Sequence, residues 1–278
     1  LILAEKYGQL IWPVPEGFGL GSERNYYFSH FLNCPFDCRY CFLQGMFSSA
    51  SFVFFVNYED FKEKILSCIE EEPDKTIMFF SGYDGDSLAM ESLTDFVKEF
   101  VPFFASLPEN ISLELRTKSS CISSLLEIPS SKQCVVAFSL TPDKTQKLLE
   151  HRTASISKRL ESMSLLASRG WPIGLRFDPL IYIPDYEQAY KKLFSDVFSS
   201  ISEESVHSVT LGSLRLSAAH YQKIIKLYPD DPLFALGLQK QGKYVSYKKE
   251  IEMQMQEFCV RELSRYLPQN KIHAFSVE

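Results

Sequence analysis

Three cysteines, Cys34, Cys38 and Cys41, fall in the string NCPFDCRYCFLQ with the spacing C-x3-C-x2-C. Thiolates hold iron-sulfur clusters. Three of them on one tight loop can each take one iron of a 4Fe-4S cluster, leaving the fourth iron open to a substrate or cofactor. Zinc fits less well, because it usually wants paired C-x2-C knuckles, and neither a second pair nor a nearby Cys/His pair is present. The other cysteines read differently. Cys68, Cys134 and Cys259 sit in apolar or amphipathic runs, where a buried thiol behaves as a small hydrophobe. Cys121 opens a helix after RTKSS, a setting that lowers a thiol pKa, and is the one spare thiol placed near the chemistry. Seven cysteines, an odd number, behind an opening LILAEKYG that is not a secretory signal, argue for a reducing, cytoplasmic setting. The Leu at position 1 suggests a trimmed amino terminus.

The elements that must position this loop follow from periodicity. Residues 25–32 (NYYFSHFL) read as a strand leading into the loop, and Asn57 as the N-cap of a helix with Phe61, Ile65, Leu66 and Ile69 at helical spacing. Strands follow at 76–80, 111–118, 134–140, 173–180 and 207–214, separated by helices of about four turns, one of them over 88–104. Six βα units imply a parallel sheet with right-handed crossovers, either doubly wound or a barrel. Charge decides between them. Residues 111–118 put Glu114, Arg116 and Lys118 on one face, and 173–180 put Arg176 and Asp178 on one face. Helices on both sides of the sheet would bury these groups at great cost, whereas the lumen of an open-mouthed barrel would not. The fold class is therefore α/β, a partial (β/α)6 TIM-type barrel, with Asp178 expected to pair with Arg176 or Lys118. Beyond residue 227 come a PDDP turn, a stretch over 233–247 with Gly237 and Gly242, a helix over 248–267 and a strand over 272–277. This reads as an appended carboxy-terminal hairpin and helix, giving a barrel core of 1–227 and a second segment of 228–278.

With 278 residues and 45% hydrophobic content, the chain can bury a core without disulfides. Its net charge of -6 gives no global field for nucleic acid, so any DNA contact needs a local basic surface. The lysine-rich run KQGKYVSYKKE (240–250) could track a phosphate backbone or be a solvated hairpin. No apolar run approaches the ~20 residues of a membrane span.

The C-x3-C-x2-C loop, with Tyr40 before its last cysteine and a βα barrel strand ahead of it, resembles the radical S-adenosylmethionine (SAM) enzymes. DCRYCFLQ, DSLAMESLT, RTKSS, AFSLTPDKTQKLLEHRTASISKRLESMSLLASRG and FDPLIY are similar, more narrowly, to strings of the spore photoproduct lyase family. The similarity runs from about Tyr26 through the last helix, without the family's amino-terminal extension. The resemblance implies that Cys34, Cys38 and Cys41 ligate a [4Fe-4S] cluster and that S-adenosyl-L-methionine is the second cofactor. Lys118 would meet its carboxylate, and Ser139 and Arg159 would also contact it. A reductant such as flavodoxin or ferredoxin would supply electrons, and the protein would work as a monomer on a thymine photoproduct in DNA. Solvated charges explain Lys118 and Arg159 as well, a capping hydroxyl explains Ser139, and structural ion pairs would account for Glu150 and Asp178.

Departures from the family pattern fall at the step that ends the reaction. Tyr83 occupies the position of the family's hydrogen-donor cysteine, and no cysteine lies between Cys68 and Cys121. Phe42 replaces the tyrosine that follows the last cluster cysteine, so Tyr40 and Tyr83 are the hydroxyls left to serve as catalytic groups there. Leu238 and Gln239 stand where the family's hairpin carries an Arg-Tyr pair, removing the usual stacking aromatic. The expected function is a radical SAM enzyme related to spore photoproduct lyase. The alternatives are a radical SAM enzyme with a different substrate, and a catalytically silent iron-sulfur or nucleic-acid-binding relative.

Overall fold

The computed structural model describes residues 1–15 and 19–275. Its spine is one eight-stranded sheet of β1 (Trp12–Pro13), β2 (Arg24–Tyr27), β3 (Ile77–Ser81), β4 (Ile111–Thr117), β5 (Cys134–Ser139), β6 (Ile173–Leu180), β7 (Val206–Ser213) and β8 (Ile272–Phe275), lying side by side in chain order. Strands β2 to β8 are parallel and β1 alone is antiparallel. A doubly wound sheet reverses its strand order at a switch point. This sheet does not, and it curls as a half-barrel.

The side chains on the two faces of the strands show why it curls. Leu113, Leu115, Val136, Phe138, Leu175, Phe177, Val209 and Leu211 point outward and are buried against the helices. The opposite face carries Glu114, Ala137, Gly174, Arg176, Ser208 and Thr210, all lumenal by the two-residue alternation of a strand. Arg176 reaches across β5 to Glu114, with Nη2 2.7 Å and Nε 3.1 Å from the carboxylate, while Arg116 Nε donates from 3.0 Å. A Cβ on Gly174 would lie 2.7 Å from Arg176 Nη2 and 2.8 Å from the Ala137 Cβ, so the guanidinium needs this glycine. Burial opposes the Glu114 charge, but Arg176 and Arg116 outweigh it and hold the carboxyl down at about 2. The predicted partner of Asp178 is therefore corrected: Arg176 pairs with Glu114, on the strand that leads to Lys118.

Some expected elements are redrawn. Helix α1 (Tyr58–Glu71) buries Phe61, Ile65, Cys68 and Ile69, and Asn57 stands at its N-cap. The Asn57 amide, however, makes no cap bond; it pairs with both backbone groups of Lys6 at 2.9 and 3.0 Å, tying down the chain just after a short strand at Ile2–Ala4. The helix expected over 88–104 breaks at Asp95, which has φ +48°, into Glu91–Thr94 and α2 (Phe96–Ala105). The Glu91 carboxylate accepts the Val97 N–H at 3.1 Å and so caps the second piece from within the first.

The carboxy-terminal segment is not a single appendage. Helix α6 is Lys249–Leu263, preceded in the chain by α3 (Ile156–Ser168), α4 (Tyr186–Ser200) and α5 (Ala218–Leu227). It buries Met255, Phe258, Cys259 and Leu263 in the barrel core, and β8 extends the main sheet along β7. The hairpin Gln239–Gln241/Tyr244–Ser246 pairs instead with Leu216–Ser217, so its sheet straddles residue 227. The part of the expected last strand beyond Phe275 lies outside the described residues. No helix among the described residues is long and apolar enough to cross a membrane.

Candidate active site

The cysteine loop leaves the carboxy end of β2, where barrels build their sites. It is folded by successive tight turns, with Cys41 N–H on the Cys38 carbonyl at 3.0 Å and Gln44 N–H on the Cys41 carbonyl at 3.1 Å. Its inner side is a two-residue strand, Asp37–Cys38, paired antiparallel with Glu150–His151, and Arg39 N–H adds a bond to the Leu149 carbonyl at 2.8 Å. Cys38 is thus fixed by a ladder to a segment more than a hundred residues away in sequence.

Behind that ladder lies a closed polar node. Tyr40 is buried and donates its hydroxyl to Glu150 Oε1. Glu150 pairs with Arg159 Nη2 at 2.6 Å, and Arg159 also donates to Thr153 Oγ1 (2.7 Å), the Ser139 carbonyl (2.8 Å) and the Ala154 carbonyl (2.9 Å). Arg159 is 0% exposed, so an unpaired guanidinium here would be very costly. Burial and then the Glu150 carboxylate push the Tyr40 phenol well above its ordinary pKa.

In front of the ladder is a cavity of about 490 Å³, lined by Cys34, Cys38 and Cys41 together with Gly85, Asp86, Lys118 and Arg152. Burial, the largest influence, raises the pKa of all three thiols, most strongly for Cys34 and Cys38. Lys118 faces them with its Nζ 5.7 Å from the Tyr40 ring centre. Desolvation works against its charge, but the sulfur of Cys38 and the carboxylate of Glu150 prevail and keep the ammonium above its ordinary pKa. Asp86 holds Lys118 in place: its carboxylate accepts the Lys118 N–H (2.6 Å), the Thr117 hydroxyl (2.7 Å) and the N–H groups of Leu88 and Ala89 (3.1 and 3.0 Å). Gly85 presses this turn onto the Phe31 ring, 2.4 Å from where a Cβ would sit.

The donor set matches an iron-sulfur cluster in kind. Among the described residues no three His, Cys, Asp or Glu side chains converge on a single ion. A cluster takes one thiolate per iron, so its ligands stand farther apart than those of one ion, and metal binding would deprotonate the raised thiols. A cation and backbone-anchoring groups beside the sulfurs suit an anionic ligand.

The sequence-predicted residues divide between these places. Cys34, Cys38, Cys41 and Lys118 meet at the cavity. Tyr40 and Arg159 belong to the node behind it, and Ser139, 3% exposed, joins that node through its carbonyl. Tyr83 stands apart at the rim, 40% exposed, stacked on Tyr27 with ring centres 4.0 Å apart and 5.3 Å from Phe42. Cys121 is half-buried, its N–H on Ser119 Oγ at 2.9 Å, while Cys68, Cys134 and Cys259 are buried as expected. Asp86 and Arg152 were missed as site residues. Asp86 had a signal: an Asp just ahead of LAMES is a helix-start residue whose oxygens seek backbone N–H groups. Arg152 had none in the sequence, since its approach depends on a backbone φ of +64°.

A parallel half-barrel with a three-cysteine loop at the mouth of its first parallel strand and a lysine facing the sulfurs defines a radical SAM enzyme. The family model for spore photoproduct lyase matches residues 25–276, and the chain belongs to that family. The spore photoproduct lyases of Clostridium acetobutylicum and Bacillus subtilis are each 24% identical to it, over 251 and 254 residues, with 87% of this chain and 74% of theirs aligned. Spore photoproduct lyase solved with bound AdoMet and dinucleoside spore photoproduct superposes with a TM-score of 0.80 at 19% identity, covering 91% of this chain and 76% of that one. Streptococcus suis SuiB bound to the precursor peptide SuiA gives 0.59 at 11% identity, covering 89% of this chain and 47% of that one.

Proposed function

We propose that this chain holds a [4Fe-4S] cluster on Cys34, Cys38 and Cys41 and cleaves S-adenosylmethionine beside it, with Lys118 binding the cofactor carboxylate. One observation carries the reading: the three thiols of one loop and Lys118, from the end of β4, line one cavity. When bound, the two cofactors together supply an electron and a 5'-deoxyadenosyl group able to take hydrogen from a substrate. The protein's own contribution is positional. The Cys38–Glu150 ladder and the Tyr40–Glu150–Arg159 node fix the inner side of the loop. Asp86 fixes the Lys118 backbone, so the ammonium enters the cavity from a rigid strand end. Arg159 and Ser139, expected at the cofactor, act through this node, and Tyr40 acts as its buttress.

The family's substrate is the first candidate, a thymine photoproduct in DNA. The rim favours a second reading, a radical SAM enzyme with another substrate. Where the family carries a thiol there is a phenol whose pKa is raised by burial, then by Tyr27 and Asp84, and which is stacked into an aromatic wall with Phe42. A phenol donates hydrogen well only when its radical is stabilised or its proton has somewhere to go, so it is a poorer closing donor than a thiol. Anaerobic incubation of the reconstituted protein with dithionite, SAM and a dinucleotide photoproduct, followed by chromatography, tests both. The expected result is 5'-deoxyadenosine with little recovered thymidine, and a Tyr83→Cys variant shifts products toward thymidine. No 5'-deoxyadenosine would overturn the proposal, and clean multiple-turnover thymidine from wild type would restore the repair reading in full.

A further inference from the structure

The cysteine loop is gripped by a second set of residues as well, from the segment between β7 and α6. His220, in the first turn of α5, lies with Nε2 3.0 Å from the carbonyl oxygen of Cys41. A carbonyl only accepts, so Nε2 carries the proton in this bond. The ring is aimed by its own helix start: Ser217 Oγ caps the His220 N–H at 3.1 Å, and the Ala218 N–H bonds to the Lys243 carbonyl of the hairpin at 3.1 Å. At the carboxy-terminal cap of the helix, the Tyr228 hydroxyl donates to Gln44 Oε1 at 3.1 Å, and Gln44 in turn donates to Asp37 Oδ1 at 2.9 Å. Arg39, between two of the cysteines, sits over the Tyr228 ring with its guanidinium carbon 3.8 Å from the ring centre, and forms ion pairs with Asp37 at 2.7 Å and Asp231 at 2.9 Å. Stacking and a two-carboxylate fork suit a guanidinium and not an ammonium.

We infer that His220 and the Arg39–Asp231 pair are positioning residues for the cluster, a clamp on Cys41 and the turn before it that is built from residues outside the Glu150–Arg159 node. The inference rests on the proposed function, since it supposes that the loop carries a cluster. Its physical basis is that outer partners of ligating residues fix ligand geometry and metal retention. The bond goes to the backbone of the last cysteine, which lies outside the strand pairing that holds Cys38. The strand pairing ends at Cys38, and beyond the Arg39 N–H bond to Leu149 the backbone of Cys41 is held by its two tight-turn bonds, to Cys38 and Gln44, and by His220. The hairpin reaches the same helix start, which places the surface 239–246 one hydrogen-bonded step from the loop.

The test is iron retention, independent of turnover. Wild type, His220→Phe, His220→Gln and Asp231→Asn are reconstituted anaerobically, and iron loss to a chelator is followed by absorbance, with thermal unfolding of the metal-free proteins as the control for folding. His220→Phe and Asp231→Asn should release iron about fivefold to tenfold faster, the ratio that one lost hydrogen bond or partly buried ion pair allows. His220→Gln keeps an N–H donor and should return most of the wild-type rate, which a merely space-filling role would not predict. Unchanged retention in both His220→Phe and Asp231→Asn would overturn the clamp and leave the proposed function standing. A wild type that takes up no iron would overturn the proposed function itself, and the clamp with it.

Discussion

Glu114 and Arg176 in the lumen are fully buried and the three cysteines at the mouth are buried or half-buried, yet only the first group is complete. Arg176 spends its donors on Glu114, the Ser208 hydroxyl and carbonyl, and the Leu175 carbonyl. Glu114 accepts from two arginines and stays ionised. At the mouth, burial raises the thiols instead, and they border a cavity beside a retained positive charge. A saturated network holds a fold together, whereas an unsaturated one awaits a partner that supplies the missing charge. The Tyr40–Glu150–Arg159 node is of the first kind though it touches the second. For that reason Arg159, charged and near the chemistry, reads as support.

This contrast breaks most readily in the lumen. Arg176→Met strands a buried carboxylate and should cost about 3–5 kcal/mol in chemical denaturation. Because the folded-state pKa of Glu114 is lowered, from 4.5 to about 2, its contribution is present above about pH 4.5 and is lost as pH falls toward 2. Wild-type stability should decline through that window, and the Arg176→Met variant should decline less. At the mouth the effect moves from stability to binding. Lys118→Ala removes a charge-assisted hydrogen bond worth roughly 1.5–3 kcal/mol, so calorimetry should show SAM bound about tenfold to a hundredfold more weakly with the cluster intact. Wild-type affinity would make Lys118 a bystander. The smallest effect is expected at the structural thiols: Cys134→Ala should cost about 1 kcal/mol of stability and leave the iron content unchanged.

What the sequence carried and what it hid follow from distance along the chain. The half-barrel was legible because each strand is a short apolar run and the lumenal charges repeat with period two, as at Glu114 and Arg116. The cysteine loop was legible because all three ligands lie within one string. The pairing of Arg176 with Glu114 was misread, since two lumenal carboxylates compete and only register across β5 selects one. The last strand looked appended because nothing local says that residues 272–275 lie along β7. Asp86, Arg152 and His220 serve the site through backbone bonds or a left-handed φ, and neither leaves a spacing to read.

The central claim is that Cys34, Cys38 and Cys41 together hold one cluster, and anaerobic reconstitution of Cys34→Ala beside wild type tests it most directly, by iron content and visible absorbance. Wild type should take up roughly four irons per chain with the broad absorbance of a [4Fe-4S] centre, and Cys34→Ala should lose most of both. An unchanged iron count and spectrum in Cys34→Ala would contradict the account.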